Sequence, residues 1–399
     1  MINIDISNSL VEKNFAEISS KLAEISKKET PKFSSYKEDT AKLKKQLRKY
    51  SKYKNIVVIG SGGSNTSFAA FYGAMQAYRN KVKVFILKTM EPDAISDIKR
   101  KCSPKDTLVI AISKSGDTIG IIEDFFAFNE YKKLAVAGGG TLYEIAKKSN
   151  IDIIHHPDIG GRYSGLTSCA YTPAILVGIP VERITKGALS MYKKCAPDVD
   201  IKNNPALQLA AALYLLEKKA YDQIFTSIYS SRLVKFLSLM VQLIHESSCK
   251  DGKGQTIYGD MGPETQHHSN QRFFGGKKNA VGLFVTVCDD DQKTKIKIPE
   301  KLKDIKLKDS TLRELDNLNL CKALEFEFLG TRDDAVNNKI PIIHIHLDKI
   351  TPESIGEYLA LWQYIAVYSS WLRDVNPFDQ PHVEESKRIS FEYLKRHKQ

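Results

Sequence analysis

Asn55-Ile-Val-Val-Ile-Gly60-Ser-Gly-Gly-Ser64-Asn-Thr-Ser67 runs from a β-branched strand through a glycine-rich turn into the helical stretch Ala-Ala-Phe-Tyr-Gly-Ala-Met-Gln-Ala-Tyr that ends at Tyr78. Glycines at such a turn let backbone N–H groups close on an anion at the positive end of the following helix. Gly63 and Ser64 are therefore candidate phosphate or sugar contacts, against the plainer reading of a tight connection. The spacing is neither G-x-G-x-x-G nor the P-loop pattern, so a dinucleotide is not indicated.

Outward from this unit the same alternation continues. Short β-branched runs recur at 56–60, 82–87, 108–113, 134–138 and 151–155, separated by stretches of helical period. Strands alternating with helices predict a mainly parallel sheet flanked by helices, an α/β fold. A second series begins after Asn203-Asn204-Pro205, with strands expected at 224–230, 280–287, 324–329 and 340–347. The expected division is a helical N-terminal segment over 1–45, an α/β domain over 46–190, a second over 205–375, and a C-terminal helical tail over 376–399. Thr351-Pro352-Glu353 reads as a cap, a first-turn proline and a first-turn acid, opening a helix that runs to about Asp374.

A chain of 399 residues with 42% hydrophobic and 27% charged residues fits about two globular domains, and no apolar run approaches the roughly 18 residues of a membrane span. The N-terminus lacks the basic start and apolar stretch of a secretory signal, so a cytoplasmic location is expected. Six cysteines lie far apart with no C-x-x-C pair, which points to reduced thiols and away from a zinc cage or disulfide framework. The formal charge of +12 is spread over lysines interleaved with acids, the pattern of solvated faces, so no nucleic-acid partner is expected. His344 and His346 share one strand face, but no third ligand accompanies them, and no metal or other cofactor is expected.

A second strand-to-helix turn, Ser113-Lys114-Ser115-Gly116-Asp117-Thr118, gathers hydroxyls and a lysine at a helix N-terminus, where dipole and donors both suit a phosphate dianion. If the two strands are neighbours, both turns open into one crevice. The combination resembles the sugar-isomerase (SIS) domain of phosphosugar enzymes and regulators. Gly160-Gly161-Arg162-Tyr163-Ser164 narrows the resemblance to the phosphoglucose isomerase family, compact microbial branch. Gln242-Leu-Ile-His-Glu246-Ser247, Gly262-Pro-Glu-Thr-Gln-His267 and Asn376-Pro-Phe-Asp-Gln380-Pro-His-Val-Glu-Glu-Ser-Lys387 follow in that family's order. The resemblance implies two SIS-like doubly wound domains and glucose-6-phosphate isomerase activity.

Aldose–ketose isomerisation needs a base beside the carbonyl. Gln242 and Glu246 stand four apart in a helical stretch and so share a face, where the amide can orient the acid. The resemblance makes Glu246 the proton-shuttling base and His267 the ring-opening acid–base group, with Lys387 as its cationic helper. It places Arg162 at the enediolate oxygen, Gln380 against sugar or backbone, and Ser64, Ser113, Lys114, Ser115 and Thr118 around the phosphate. It further implies a homodimer in which the histidine enters the partner's site. Two alternatives stay open: a dual phosphoglucose/phosphomannose isomerase, and a sugar-phosphate sensor needing neither base nor ring-opener.

Overall fold

The computed structural model describes residues 2–11, 15–287 and 294–397. The chain opens in strand β1 (Ile2–Asp5) and then builds a first five-stranded sheet from β2 (Asn55–Ile59), β3 (Lys83–Leu87), β4 (Thr107–Ser113), β5 (Lys132–Ala137) and β6 (Ile153–His155). Its order is β3-β2-β4-β5-β6 and every pairing is parallel. Central β4 is Thr-Leu-Val-Ile-Ala-Ile-Ser and buried at every position. A parallel strand covered by helices on both faces has no wet side, so its sequence runs apolar without alternation.

The second sheet comprises β7 (Gln223–Tyr229), β8 (Thr256–Met261), β9 (Ala280–Val287), a strand after the small antiparallel hairpin of β10 (Lys306–Leu307) and β11 (Ser310–Thr311), namely β12 (Ile342–Leu347), and, at its edge, β1. Its order is β1-β12-β9-β7-β8, parallel except where β1 runs antiparallel to β12 with Ile2 opposite Leu347. Read from the other edge, β8-β7-β9-β12 repeats the β3-β2-β4-β5 plan of the first sheet. In each sheet the first strand of the set has its successor on one side and the third strand on the other. This is the topological switch at whose carboxyl end α/β proteins hold ligands.

The halves meet along the helix Pro352–Leu372, nearly all of it buried, which packs on Val181–Lys194. The backbones touch: a Cβ added at Gly187 would lie 1.9 Å from the Glu353 carbonyl oxygen, and one at Gly356 1.9 Å from that of Ile184. Thr351 caps this helix reciprocally with Ser354, as the Thr-Pro-Glu opening predicts.

Two expectations need correction, and one strand was not expected. The segment 1–45 is not simply helical, because it opens as a strand of the distant sheet before the helices Ser19–Ile25, Lys32–Ser35 and Thr40–Leu47. The strand expected at 324–329 lies inside the helix Leu320–Asn337, capped by Asn319. Leu324, Phe326 and Phe328 alternate with glutamates and imitate a strand, yet burial follows Phe328, Thr331 and Ala335 at helical spacing while Phe326 is exposed. Strand β8 was not foreseen.

Candidate active site

β2 and β4 are neighbours, the condition under which their turns open together. The first turn enters the helix Gly63–Ala74, and Gly63 is where it meets the Gly161-Arg162 backbone. A Cβ on Gly63 would fall 2.1 Å from the Gly161 carbonyl carbon, so only glycine admits this approach. Ser64 is buried at the same helix start, and Asn65 ties back to the Gly60 carbonyl.

The second turn leads into the helix Ile119–Ala127. Ser113 Oγ accepts from the Gly116 N–H at 3.1 Å and lies 3.3 Å from Thr118 Oγ1, while Ser115 Oγ accepts from the Asp117 N–H at 3.3 Å. Gly116 has φ +76°, and a Cβ there would strike the Gly139 carbonyl oxygen at 1.9 Å. Lys114 Nζ lies 2.9 Å from Asp158 Oδ1, an exposed carboxylate just before the Gly160-Gly161-Arg162 turn. An anion at this helix start would compete with Asp158 for the ammonium.

Glu246 sits in the last turn of the helix Leu237–Ser248. One turn earlier, Gln242 Nε2 donates to Glu246 Oε1 at 3.0 Å and Gln242 Oε1 accepts from Thr66 Oγ1 at 2.9 Å. The amide is thus fixed from both ends. Arg162 NH1 donates to Glu246 Oε2 at 3.1 Å and to Gln380 Oε1 at 2.8 Å. Its remaining donors go to Ser247 Oγ at 2.8 Å, the Pro377 carbonyl at 2.6 Å and the Asp379 carbonyl at 2.9 Å. The guanidinium, 2% exposed, therefore has all five N–H groups engaged and a charge partner beside it. Thr66, Gln242, Glu246, Arg162 and Gln380 form one hydrogen-bonded line that runs from the first half into the second, back to the first at Arg162, and on to the C-terminal segment.

His267 and Lys387 stand apart from this line. His267 is exposed at the end of the short helix Glu264–His267. Lys387 is exposed on the helix Glu384–Arg396 and pairs with Glu384 at 2.7 Å. That helix buries none of its residues and exposes Ile389, Phe391, Tyr393 and Leu394. His344 and His346 both face Thr286 Oγ1, at 2.8 and 2.9 Å, and burial lowers the His344 pKa to about 4. Among the described residues no three potential ligands gather around them.

Sequence reasoning missed Thr66 and Ser247, whose hydroxyls orient Gln242 and Arg162, and it missed Lys250. A serine directly after the acid was the available signal for Ser247. Lys250 closes the run Glu246-Ser-Ser-Cys-Lys250, but nothing local marks the loop it meets.

If the turn at 113–118 binds a phosphate, it carries a direct expectation. Charge-assisted bonds to a phosphate persist from the bound substrate to the transition state, so Ser113→Ala with Thr118→Ala should raise KM by roughly tenfold or more and change kcat little. Initial rates across substrate concentration measure this, and an unchanged KM counts against the turn.

A family model described as phosphoglucose isomerase matches residues 23–399. A probable glucose-6-phosphate isomerase of Methanococcus maripaludis is 29% identical, covering 98% of this chain and 91% of that protein. A glucose-6-phosphate isomerase of Methanocaldococcus jannaschii is 28% identical over 86% of this chain and 85% of that protein. Among solved structures, a hypothetical protein from Thermus thermophilus superposes with TM-score 0.88 at 23% identity, covering 99% of this chain and 100% of that one. A glucose-6-phosphate isomerase from Chlamydia trachomatis gives TM-score 0.79 at 17% identity, with 100% and 89% covered. At these identities the structures speak for the fold.

Proposed function

The chain belongs to the phosphoglucose isomerase family, and from that premise we infer that it interconverts glucose 6-phosphate and fructose 6-phosphate, with Glu246 moving the proton. The observation that carries the assignment of Glu246 is its setting: a carboxylate held at one oxygen by a fixed amide and at the other by a buried guanidinium.

The sugar phosphate is anchored by Ser64, Ser113, Lys114, Ser115 and Thr118, with the Gly63 backbone beside them. His267 and Lys387 open the ring. Glu246 then takes the proton from the carbon next to the carbonyl and returns it to the neighbouring carbon. As Glu246 becomes neutral its hold on Arg162 weakens, at the moment negative charge reaches the enediolate oxygen. Arg162 NH1 can then turn from the carboxylate to that oxygen, so the cation serves both states and favours the one along the reaction path. Gln380, bonded to the same NH1, keeps the guanidinium in place.

The enzyme is proposed to work in the cytosol as a homodimer. His267 and Lys387 are exposed in the single chain, and the Glu384–Arg396 helix exposes apolar side chains that a second copy could cover. No helix among the described residues is long and apolar enough to cross a membrane.

A coupled assay of the purified protein tests the reading. Fructose 6-phosphate should be converted to glucose 6-phosphate at the same rate with and without EDTA, because the proton is assigned to a carboxylate and the developing charge to Arg162. Activity lost to EDTA and restored by a divalent ion would reassign the charge-stabilising role. Turnover of mannose 6-phosphate in the same assay would establish the dual activity, and turnover of neither sugar would leave the sensor.

A further inference from the structure

The segment Asn376–Gln380 is held to the body of the protein chiefly by two buried cations. One is Arg162. The other is Lys250, 7% exposed, two residues beyond the end of the helix that carries Glu246. Its Nζ donates to the Asn376 carbonyl, to the Asp379 carbonyl at 2.8 Å and to Asp379 Oδ1 at 2.6 Å. An ammonium has three donors and all three end on this one segment. A buried charge survives only when paired and fully hydrogen-bonded, so the segment is as necessary to Lys250 as the lysine is to the segment.

The two cations converge on a single oxygen. The Asp379 carbonyl accepts from Lys250 Nζ at 2.8 Å and from Arg162 NH2 at 2.9 Å. The next residue, Gln380, accepts from Arg162 NH1, the group that also touches Glu246. Within the segment the remaining polar ties are local or single: Asn376 Nδ2 to Asp379 Oδ2 at 2.9 Å, the Phe378 N–H to Asn376 Oδ1 at 3.0 Å, and the Tyr163 hydroxyl to the Pro377 carbonyl at 3.1 Å. The Asp379 carboxyl is held below its ordinary range, first by its hydrogen bond from Lys250.

We propose that Lys250 is a positioning residue for the proton-transfer step, fixing Asn376–Gln380 so that Gln380 holds the Arg162 NH1 donor at Glu246. Without the ammonium, Asp379 has lost its cation while Arg162 stays close by. The carboxylate then draws the guanidinium away from Glu246, and Gln380 follows the freed segment. Phosphate anchoring in the first half is untouched. The proposal rests on the roles given to Glu246 and Arg162 above.

Lys250→Met keeps the length and apolar stem of the side chain while removing the charge. Its kcat should fall at least tenfold with KM within about twofold of wild type, and Lys250→Arg should recover most of the loss. Gln380→Ala added to Lys250→Met should cost little more than either alone, since both act through the same donor. Circular dichroism and thermal unfolding confirm that the variants fold. Wild-type kcat in Lys250→Met, or losses that simply multiply in the double variant, would overturn the proposal. Should Lys250→Met fail to fold, Asp379→Asn carries the test: a loss of two- to fivefold in kcat at constant KM is expected, and an unchanged kcat overturns it. An unimpaired Glu246→Gln would instead remove the premise, so the two failures are distinguishable.

Discussion

Glu246→Gln should lower kcat by at least 10²- to 10⁴-fold, the range that general base catalysis typically supplies, while KM and folding change little. Gln keeps the volume, and its one amide oxygen can still accept from Arg162 while its NH2 donates to a turned-over Gln242 amide, so the hydrogen-bonded line survives with its proton acceptor removed. The companion His267→Ala should behave differently. If the histidine only opens the ring, its defect should shrink on an open-chain analogue, whereas Glu246→Gln should fail on cyclic and acyclic sugars alike. Solvent-deuterium incorporation at the carbon beside the carbonyl separates them, and near wild-type exchange in Glu246→Gln would sink the mechanism. The same two variants test the shared site. If His267 serves the partner's Glu246, mixed dimers contain one site with both groups intact, and two nearly inactive preparations should regain activity after subunit exchange.

Arg162→Met should be damaging twice over. Loss of one preorganised donor at a developing oxyanion costs about 10²- to 10³-fold in kcat. The same change removes one donor each from Glu246, Ser247, Gln380 and two carbonyls. Breaking a fully buried ion pair costs ~3–5 kcal/mol, and Glu246 retains 29% side-chain exposure, so a loss on the order of 2–4 kcal/mol is expected in denaturant unfolding. Arg162→Lys separates the contributions. It keeps a positive charge near the enediolate but cannot span Ser247, Glu246, Gln380 and the carbonyls at once. It should recover more of kcat than of stability, and equal recovery of both would argue that the guanidinium is structural.

The parts of this molecule legible in its sequence are those whose causes are local. Gly60–Ser67 and Ser113–Thr118 declare themselves because a strand, a turn and a helix start lie within a dozen residues, and Gln242 and Glu246 meet because four residues make about one helical turn. Distance along the chain hides the rest. Arg162 and Gln380 are 218 residues apart, and motif resemblance rather than pattern connected them. Lys250 meets its loop across 126 and 129 positions, with no periodicity to reveal it. The Leu320–Asn337 helix was misread because Leu324 and Phe328, four apart, share a face in a strand and in a helix alike. Strand β8 was overlooked because Gly259 sits where its backbone lies against Thr226, a place for packing rather than for a strand-forming side chain.

The pairing of β1 with β12 sets a timetable for the newborn chain. Residues 2–5 leave the ribosome about 340 residues ahead of their partner at 342–347. At ~5–20 residues per second, β1 waits about 17 to 70 seconds for its edge. The first sheet has all its strands by residue 155 and can assemble during that wait, with the amino terminus excluded from it. A fusion placed directly before β1 would therefore burden the sheet that is translated second. Cells short of chaperones should lose such a fusion only once residues 342–347 have been made, rather than early.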